Sequence, residues 1–248
     1  MRSAVIGGRT VGGAPCLVAT AMAGGVEEML GQCQRAASLG ADLVELRIDK
    51  LPDEAAVHAV IEGASCAHIV ACRTPRLGGF FVGTEEDRIA RLDGAARDGA
   101  TAVDIEFFTE PSLRARLISA ARQHGVPVLV GYENMQETPA HEEMMRGLRD
   151  VAALEPDLIK LAVRAHSYAD LLTVLHVARE AHSMLDVPFA VIALGAHGAP
   201  SRPLACVLGA SFTYCAMEQG SVPGQLTLQE TRDIIASLAE QRWTCSSN

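Results

Sequence analysis

The chain has 248 residues, 49% of them hydrophobic and 21% charged, with a formal net charge of −9. That composition suits one large α/β domain and excludes disordered or collagen-like chains. The acidic balance argues against a protein that tracks nucleic-acid phosphates, no apolar run reaches the roughly 18 residues of a membrane span, and an N-terminus without a signal peptide's apolar core points to the cytoplasm.

Short runs rich in Val, Ile, Leu and Ala recur at 16–22, 43–48, 68–73, 102–107, 126–132, 158–163, 189–194 and 211–215, the composition of strands buried on both faces. Amphipathic stretches separate them. The first, 26–38, sets Val26, Met29, Leu30 and Cys33 at helical spacing. Thr84-Glu-Glu-Asp87, Ser167-Tyr-Ala-Asp170 and Thr227-Leu-Gln-Glu230 read as capping boxes or close variants. Thr138-Pro139 reads as a cap followed by a first-turn proline. Strands alternating with helices through about 250 residues predict a (β/α)8 TIM barrel, one domain over 1–248. The runner-up is a doubly wound open sheet, but no Gly-x-Gly-x-x-Gly follows the first strand. Seven cysteines are scattered with no Cys-x-x-Cys pair and read as free thiols, most of them buried.

Of the 21 basic residues, 19 are arginine and two are lysine, Lys50 and Lys160. Lys50 lies in a polar turn and reads as solvated. Lys160 lies inside the apolar run Asp-Leu-Ile-Lys160-Leu-Ala-Val, where burial of a charge costs most.

A barrel of this kind places its chemistry at the C-terminal ends of its strands, and those ends are polar here. The second predicted strand carries Glu45 and Arg47, two apart and so on one face. The third ends at Arg73, the fourth holds Asp104 and Glu106, the fifth is followed by Glu133, and the sixth carries Lys160. His197 and Arg202 follow the seventh; Ser221 and Gln225 follow the eighth. Glu45 and Arg47 read either as an interior ion pair or as a substrate clamp, and Asp104 and Glu106 as partners of the arginines. His197 reads as a loop histidine. The other histidines show no ligand spacing such as His-x-x-x-His and receive no role. Buried charges must be paired or used, and here they gather at one end. For Lys160 the choice is a structural ion pair or an imine-forming amine, which burial and nearby arginines favour in its neutral form.

These motifs in this order resemble the type I 3-dehydroquinate dehydratase family: Glu45-Leu-Arg47-Ile-Asp, Cys72-Arg73-Thr with Gly78-Gly79 after it, Asp104-Ile-Glu106, Lys160, Gly198-Ala-Pro-Ser201-Arg202 and Ser221-Val-Pro-Gly-Gln225. The resemblance covers nearly the whole chain. It implies a lyase of the shikimate pathway of aromatic amino acid biosynthesis, a cytoplasmic homodimer acting on a cyclic keto-carboxylate, without metal or organic cofactor. By motif, Lys160 would form the imine with the C3 ketone of 3-dehydroquinate. Arg202, Ser221 and Gln225 would hold the carboxylate and its neighbours, and Glu45, Arg47 and Arg73 the ring hydroxyls.

Two positions depart from the family. Its proton-shuttling histidine is replaced by Glu133, and a glutamate before Gly78-Gly79 is replaced by Leu77. Burial beside Leu77 predicts a raised Glu133 pKa, which would let it work as acid and base, with His197 or water as the other proton carriers. The departures keep two further readings open: a Schiff-base enzyme for a related cyclic keto-acid, and a catalytically weak paralogue that binds a quinate-like ligand. The loop Leu77-Gly-Gly-Phe-Phe-Val-Gly83 reads either as a lid or as a turn whose Phe80 and Phe81 pack at a subunit contact.

Overall fold

The computed structural model describes residues 2–218 and 224–240. It opens on a hairpin absent from the sequence reading, β1 (Ala4–Ile6) against β2 (Arg9–Val11). Gly7 and Gly8 turn it with φ of +52° and +83°, and paired residues with positive φ form the tight turn that matches strand twist. Ala4, Ile6 and Val11 pack with Cys16, Leu43, Ile69, Ala102, Leu129, Leu158 and Phe212. Those residues lie at or near the beginnings of the barrel strands, so the hairpin plugs the end of the barrel opposite the predicted site.

The barrel strands are β3 (Cys16–Ala21), β4 (Leu43–Arg47), β5 (His68–Ala71), β6 (Val103–Glu106), β7 (Val128–Asn134), β8 (Leu158–Arg164), β9 (Phe189–Leu194) and β10 (Phe212–Cys215). All pair in parallel, in chain order from β3 to β9, with β10 beside β3. Between β9 and β10 the Ser211 N–H donates to the Phe189 carbonyl at 2.7 Å. This is the predicted (β/α)8 barrel. Its helices are α1 (Val26–Ser38), α2 (Glu54–Gly63), α3 (Glu85–Arg97), α4 (Pro111–Gln123), α5 (His141–Ala152), α6 (Tyr168–Met184), α7 (Ser201–Val207) and α8 (Leu228–Glu240). Among the described residues no helix is long and apolar enough to cross a membrane.

Start signals for three helices act as expected. Thr84 with Asp87 and Ser167 with Asp170 form reciprocal capping boxes, and Thr227 with Glu230 exchanges the same pair of bonds before α8. The proposed cap at Thr138 fails. The α5 helix begins two residues past Pro139 with Ala140 as its uncapped N-cap, because the Thr138 hydroxyl donates instead to the Arg164 carbonyl at 2.8 Å. The six described cysteines carry free thiols.

Alternation along each strand decides what enters the barrel. Val44 and Leu46, Val103 and Ile105, Val130 and Tyr132, and Ile159 and Leu161 all pack outward in the layer shared with the helices. Their neighbours Glu45 and Arg47, Asp104 and Glu106, Gly131 and Glu133, and Lys160 therefore face inward. Apolar residues fill the interior at the hairpin end, and charge fills the other.

Candidate active site

Glu45, Arg47, Arg73, Glu133, Lys160, Arg202 and Gln225 line one cavity of about 320 Å³ at the C-terminal ends of the strands. The structure thus brings together every predicted site residue except Ser221, which lies outside the described residues. Asp104 and Glu106 sit beneath them and are buried.

The floor is a network of ion pairs. Lys160 Nζ lies 2.7 Å from Asp104 Oδ2 and 2.9 Å from Glu133 Oε1. Arg73 touches the same two carboxylates, Asp104 at 2.5 Å and Glu133 at 3.0 Å, and reaches Glu106 at 2.6 Å. Arg88, on α3, closes the other side of Glu106 at 2.7 Å. Gly131 makes room for this cluster. A Cβ there would stand 3.2 Å from Glu133 Oε1 and 3.3 Å from Lys160 Cε, tighter than such contacts usually allow.

Two expectations about protonation are overturned. Burial and Arg73 do favour a neutral Lys160, but Asp104, Glu133 and Glu45 outweigh them and hold its pKa above the ordinary lysine value. In the free protein Lys160 is an ammonium ion. Burial likewise opposes charge on Glu133, but Arg73 and Lys160, with a hydrogen bond from Lys160 and the field of Arg47, draw its pKa down to about 2. Glu133 is a carboxylate, not a raised acid. Leu77 does line the same cavity, yet two cations within 3.0 Å decide the outcome.

Across the cavity Arg202 has a different environment. It is buried, and its Nε donates to the Gly224 carbonyl at 3.1 Å and its Nη1 to the Tyr214 carbonyl at 2.9 Å. It forms no ion pair among the described residues, and burial pulls its pKa down to about 10. A buried guanidinium without a counter-ion is the setting that a ligand carboxylate satisfies.

Arg47 is held away from the floor by a two-point contact with Asp49, at 2.8 and 3.0 Å. Asp49 also accepts from the Phe80 N–H at 3.0 Å, so it ties the 77–83 loop to β4. Phe81 is buried in the core, while exposed Phe80 carries Lys50 Nζ 4.1 Å from its ring centre. Lys50 is exposed to solvent, as expected, and rests on that aromatic face. His197 does not line the cavity; its ring packs edge-on against Tyr168, 5.1 Å between centres.

Sequence reasoning missed Tyr214. It lines the cavity, its ring centre lies 5.3 Å from Lys160 Nζ, and its buried hydroxyl, with Glu45 beside it, makes no well-formed hydrogen bond among the described residues. Burial and the charges of Glu45 and Asp104 keep the phenol protonated. The alternation of β10, with Phe212 and Tyr214 on one face, was the available signal.

A (β/α)8 barrel with a buried lysine among carboxylates at its open end defines a lysine-centred barrel enzyme. The chain belongs to the type I 3-dehydroquinase family, whose sequence model matches residues 18–242. It is 34% identical over 223 residues to the 3-dehydroquinate dehydratase of Methanosarcina barkeri, across 86% of this chain and 92% of that one. It is 33% identical over 213 residues to that of Methanothermobacter thermautotrophicus, across 85% and 91%. The solved 3-dehydroquinate dehydratase from Enterococcus faecalis superposes with a TM-score of 0.85 at 26% identity, over 94% of this chain and 98% of that one. The one from Geobacillus kaustophilus shares the fold, with a TM-score of 0.89 at 23% identity over 97% and 98%.

The depressed Glu133 pKa gives a signed pH prediction. Its folded-state value of about 2 lies below the ordinary 4.5. Its ionisation therefore stabilises the fold above pH 4.5, and the contribution is lost as pH falls toward 2. Glu133→Gln leaves Arg73 and Lys160 short of a counter-charge and is expected to lower stability by about 3–5 kcal/mol at neutral pH. Denaturant unfolding should show this gap narrowing between pH 4.5 and 2. A gap of constant size would contradict an ionised, ion-paired Glu133.

Proposed function

We propose that the protein is a hydro-lyase that converts 3-dehydroquinate to 3-dehydroshikimate through an imine on Lys160. The observation that carries this reading is one cavity holding a buried lysine on one side and, on the other, a buried arginine without a counter-ion among the described residues. A lysine alone would suit any ketone; the arginine adds a carboxylate to the requirement.

The reaction begins with a proton transfer. Lys160 is an ammonium and must lose a proton before it attacks. Asp104 accepts from it at 2.7 Å and has a second, buried oxygen, Oδ1, without a partner among the described residues, so it can take that proton. The amine adds to the C3 ketone, and Asp104 returns the proton to the carbinolamine hydroxyl, which leaves as water to give a protonated imine beside a restored Asp104 carboxylate. This places a positive charge where the ammonium stood, so Asp104 and Glu133 stabilise the intermediate as they stabilised the resting lysine. Glu133, 2.9 Å from Nζ, then removes the acidified C2 proton and returns it to the departing C1 hydroxyl, which leaves as water. A carboxylate with so low a pKa is a weak base, so the C2–H must be acidified by the imine first. Hydrolysis of the product imine frees the lysine.

Arg202 and Gln225, with Ser221, hold the substrate carboxylate; Glu45, Arg47 and Arg73 face the ring hydroxyls. Tyr214 belongs with them. A hydroxyl both donates and accepts, and the Glu45 carboxylate beside the protonated Tyr214 phenol offers one partner for each function. The reading includes a homodimer working in the cytoplasm and no nucleic-acid partner, supported by family resemblance and the acidic charge.

Borohydride added with 3-dehydroquinate is expected to fix the substrate's mass onto a peptide containing Lys160. Lys160→Ala should abolish the adduct and Lys50→Ala should leave it. An adduct on Lys50, or none, contradicts the imine. Tyr214→Phe removes the hydroxyl beside Glu45, so KM should rise about five- to tenfold, the worth of roughly one hydrogen bond, while the free protein's Tm stays near that of the wild type. A lowered Tm with unchanged KM would make Tyr214 a packing residue.

A further inference from the structure

Outside the cavity, a second group of side chains is left over. His141 opens α5, and His176 and Glu180 lie one turn apart on α6, so they share one face of that helix. Packing of α5 on α6 brings the three together, and their ligand atoms all lie within 4.8 Å of one another. The two imidazoles stack with ring centres 4.4 Å apart. His141 Nε2 is closed off from solvent and makes no hydrogen bond among the described residues, although Glu180 Oε2 stands 3.0 Å away. The approach has the distance of a hydrogen bond without its direction. His176 and Glu180 are exposed at the surface, so their side chains can turn.

We propose that His141, His176 and Glu180 form a binding site for a divalent transition metal of the zinc type, clasping α5 to α6. Two imidazoles and one carboxylate are the donor set that zinc, cobalt and nickel take, whereas calcium and magnesium prefer oxygen alone. Ligands of one zinc ion at about 2.0–2.2 Å stand closer together than the present spread, and a modest turn of the two exposed side chains closes it. Three protein ligands leave a position for water. The site lies on the outer helices, and none of its residues lines the catalytic cavity, so it stabilises the helices that follow β7 and β8 rather than taking part in the imine chemistry. The linear sequence hides it, since His141 stands far from His176 and the helical pair is His-x-x-x-Glu.

The test is zinc binding to the full-length, metal-stripped protein by calorimetry, with cobalt absorption reporting coordination. One zinc ion per chain is expected with Kd of about 10 µM or tighter, weakened at least tenfold by His176→Ala and by Glu180→Gln. Zinc should raise the Tm of the wild-type protein and not of either variant, and turnover should be the same in both variants as in the wild type. Binding weaker than about 100 µM, or binding that survives both substitutions, would overturn the site and send the metal to the thiols.

Discussion

The structure turns on Arg73. Its guanidinium sits at the centre of the barrel's open end and touches three carboxylates, Asp104, Glu106 and Glu133. Each of those is placed there by the inward phase of a neighbouring strand, and Asp104 and Glu133 in turn hold Lys160. Arg88 closes the outer side of Glu106. Such buried clusters stabilise a fold poorly, because desolvation offsets most of the attraction, yet removal of any one member is strongly destabilising. A protein that needed only stability here would fill the space with the leucine and valine used at the hairpin end. The network is therefore best understood as positioning a lysine, with stability a by-product of its completeness.

That positioning fixes the chemistry. The resting lysine is charged, and its charge is balanced before substrate arrives. Formation of a protonated imine leaves a cation in the same place, so the surrounding carboxylates need not reorganise. On the other side of the cavity the balance is open: among the described residues Arg202 lacks a counter-ion and the Tyr214 hydroxyl makes no well-formed hydrogen bond. The half of the site that reacts is complete in the free protein, whereas the half that binds is completed by a ligand bearing a carboxylate and hydroxyls.

Much of this was legible in the chain. Eight apolar runs at regular spacing predicted the barrel, and polar residues at their C-terminal ends predicted the rim, because buried charges in an apolar run demand a use. What could not be read were quantities set by distance. Arginines near Lys160 suggested a neutral amine and apolar Leu77 suggested a raised Glu133, and both failed for one reason: the pairing of β6, β7 and β8 puts Asp104 and Glu133 within 3 Å of the lysine, and sequence separation hides that approach. Tyr214 was passed over because an apolar strand makes a tyrosine look like core. The three-residue strands at the N-terminus were too short to show a period.

The central claim is that Lys160 rests as an ammonium ion held by Asp104 and Glu133. With only two lysines in the chain, protein labelled with carbon-13 at the lysine ε position gives two signals, and Lys50→Arg assigns them. A pH titration by nuclear magnetic resonance then reads the state of Lys160 directly. The account predicts that its signal keeps the ammonium position past neutral pH and moves only above the reference lysine value of about 10.4. A midpoint below about pH 8 would mean a lysine that rests neutral, and would contradict the account.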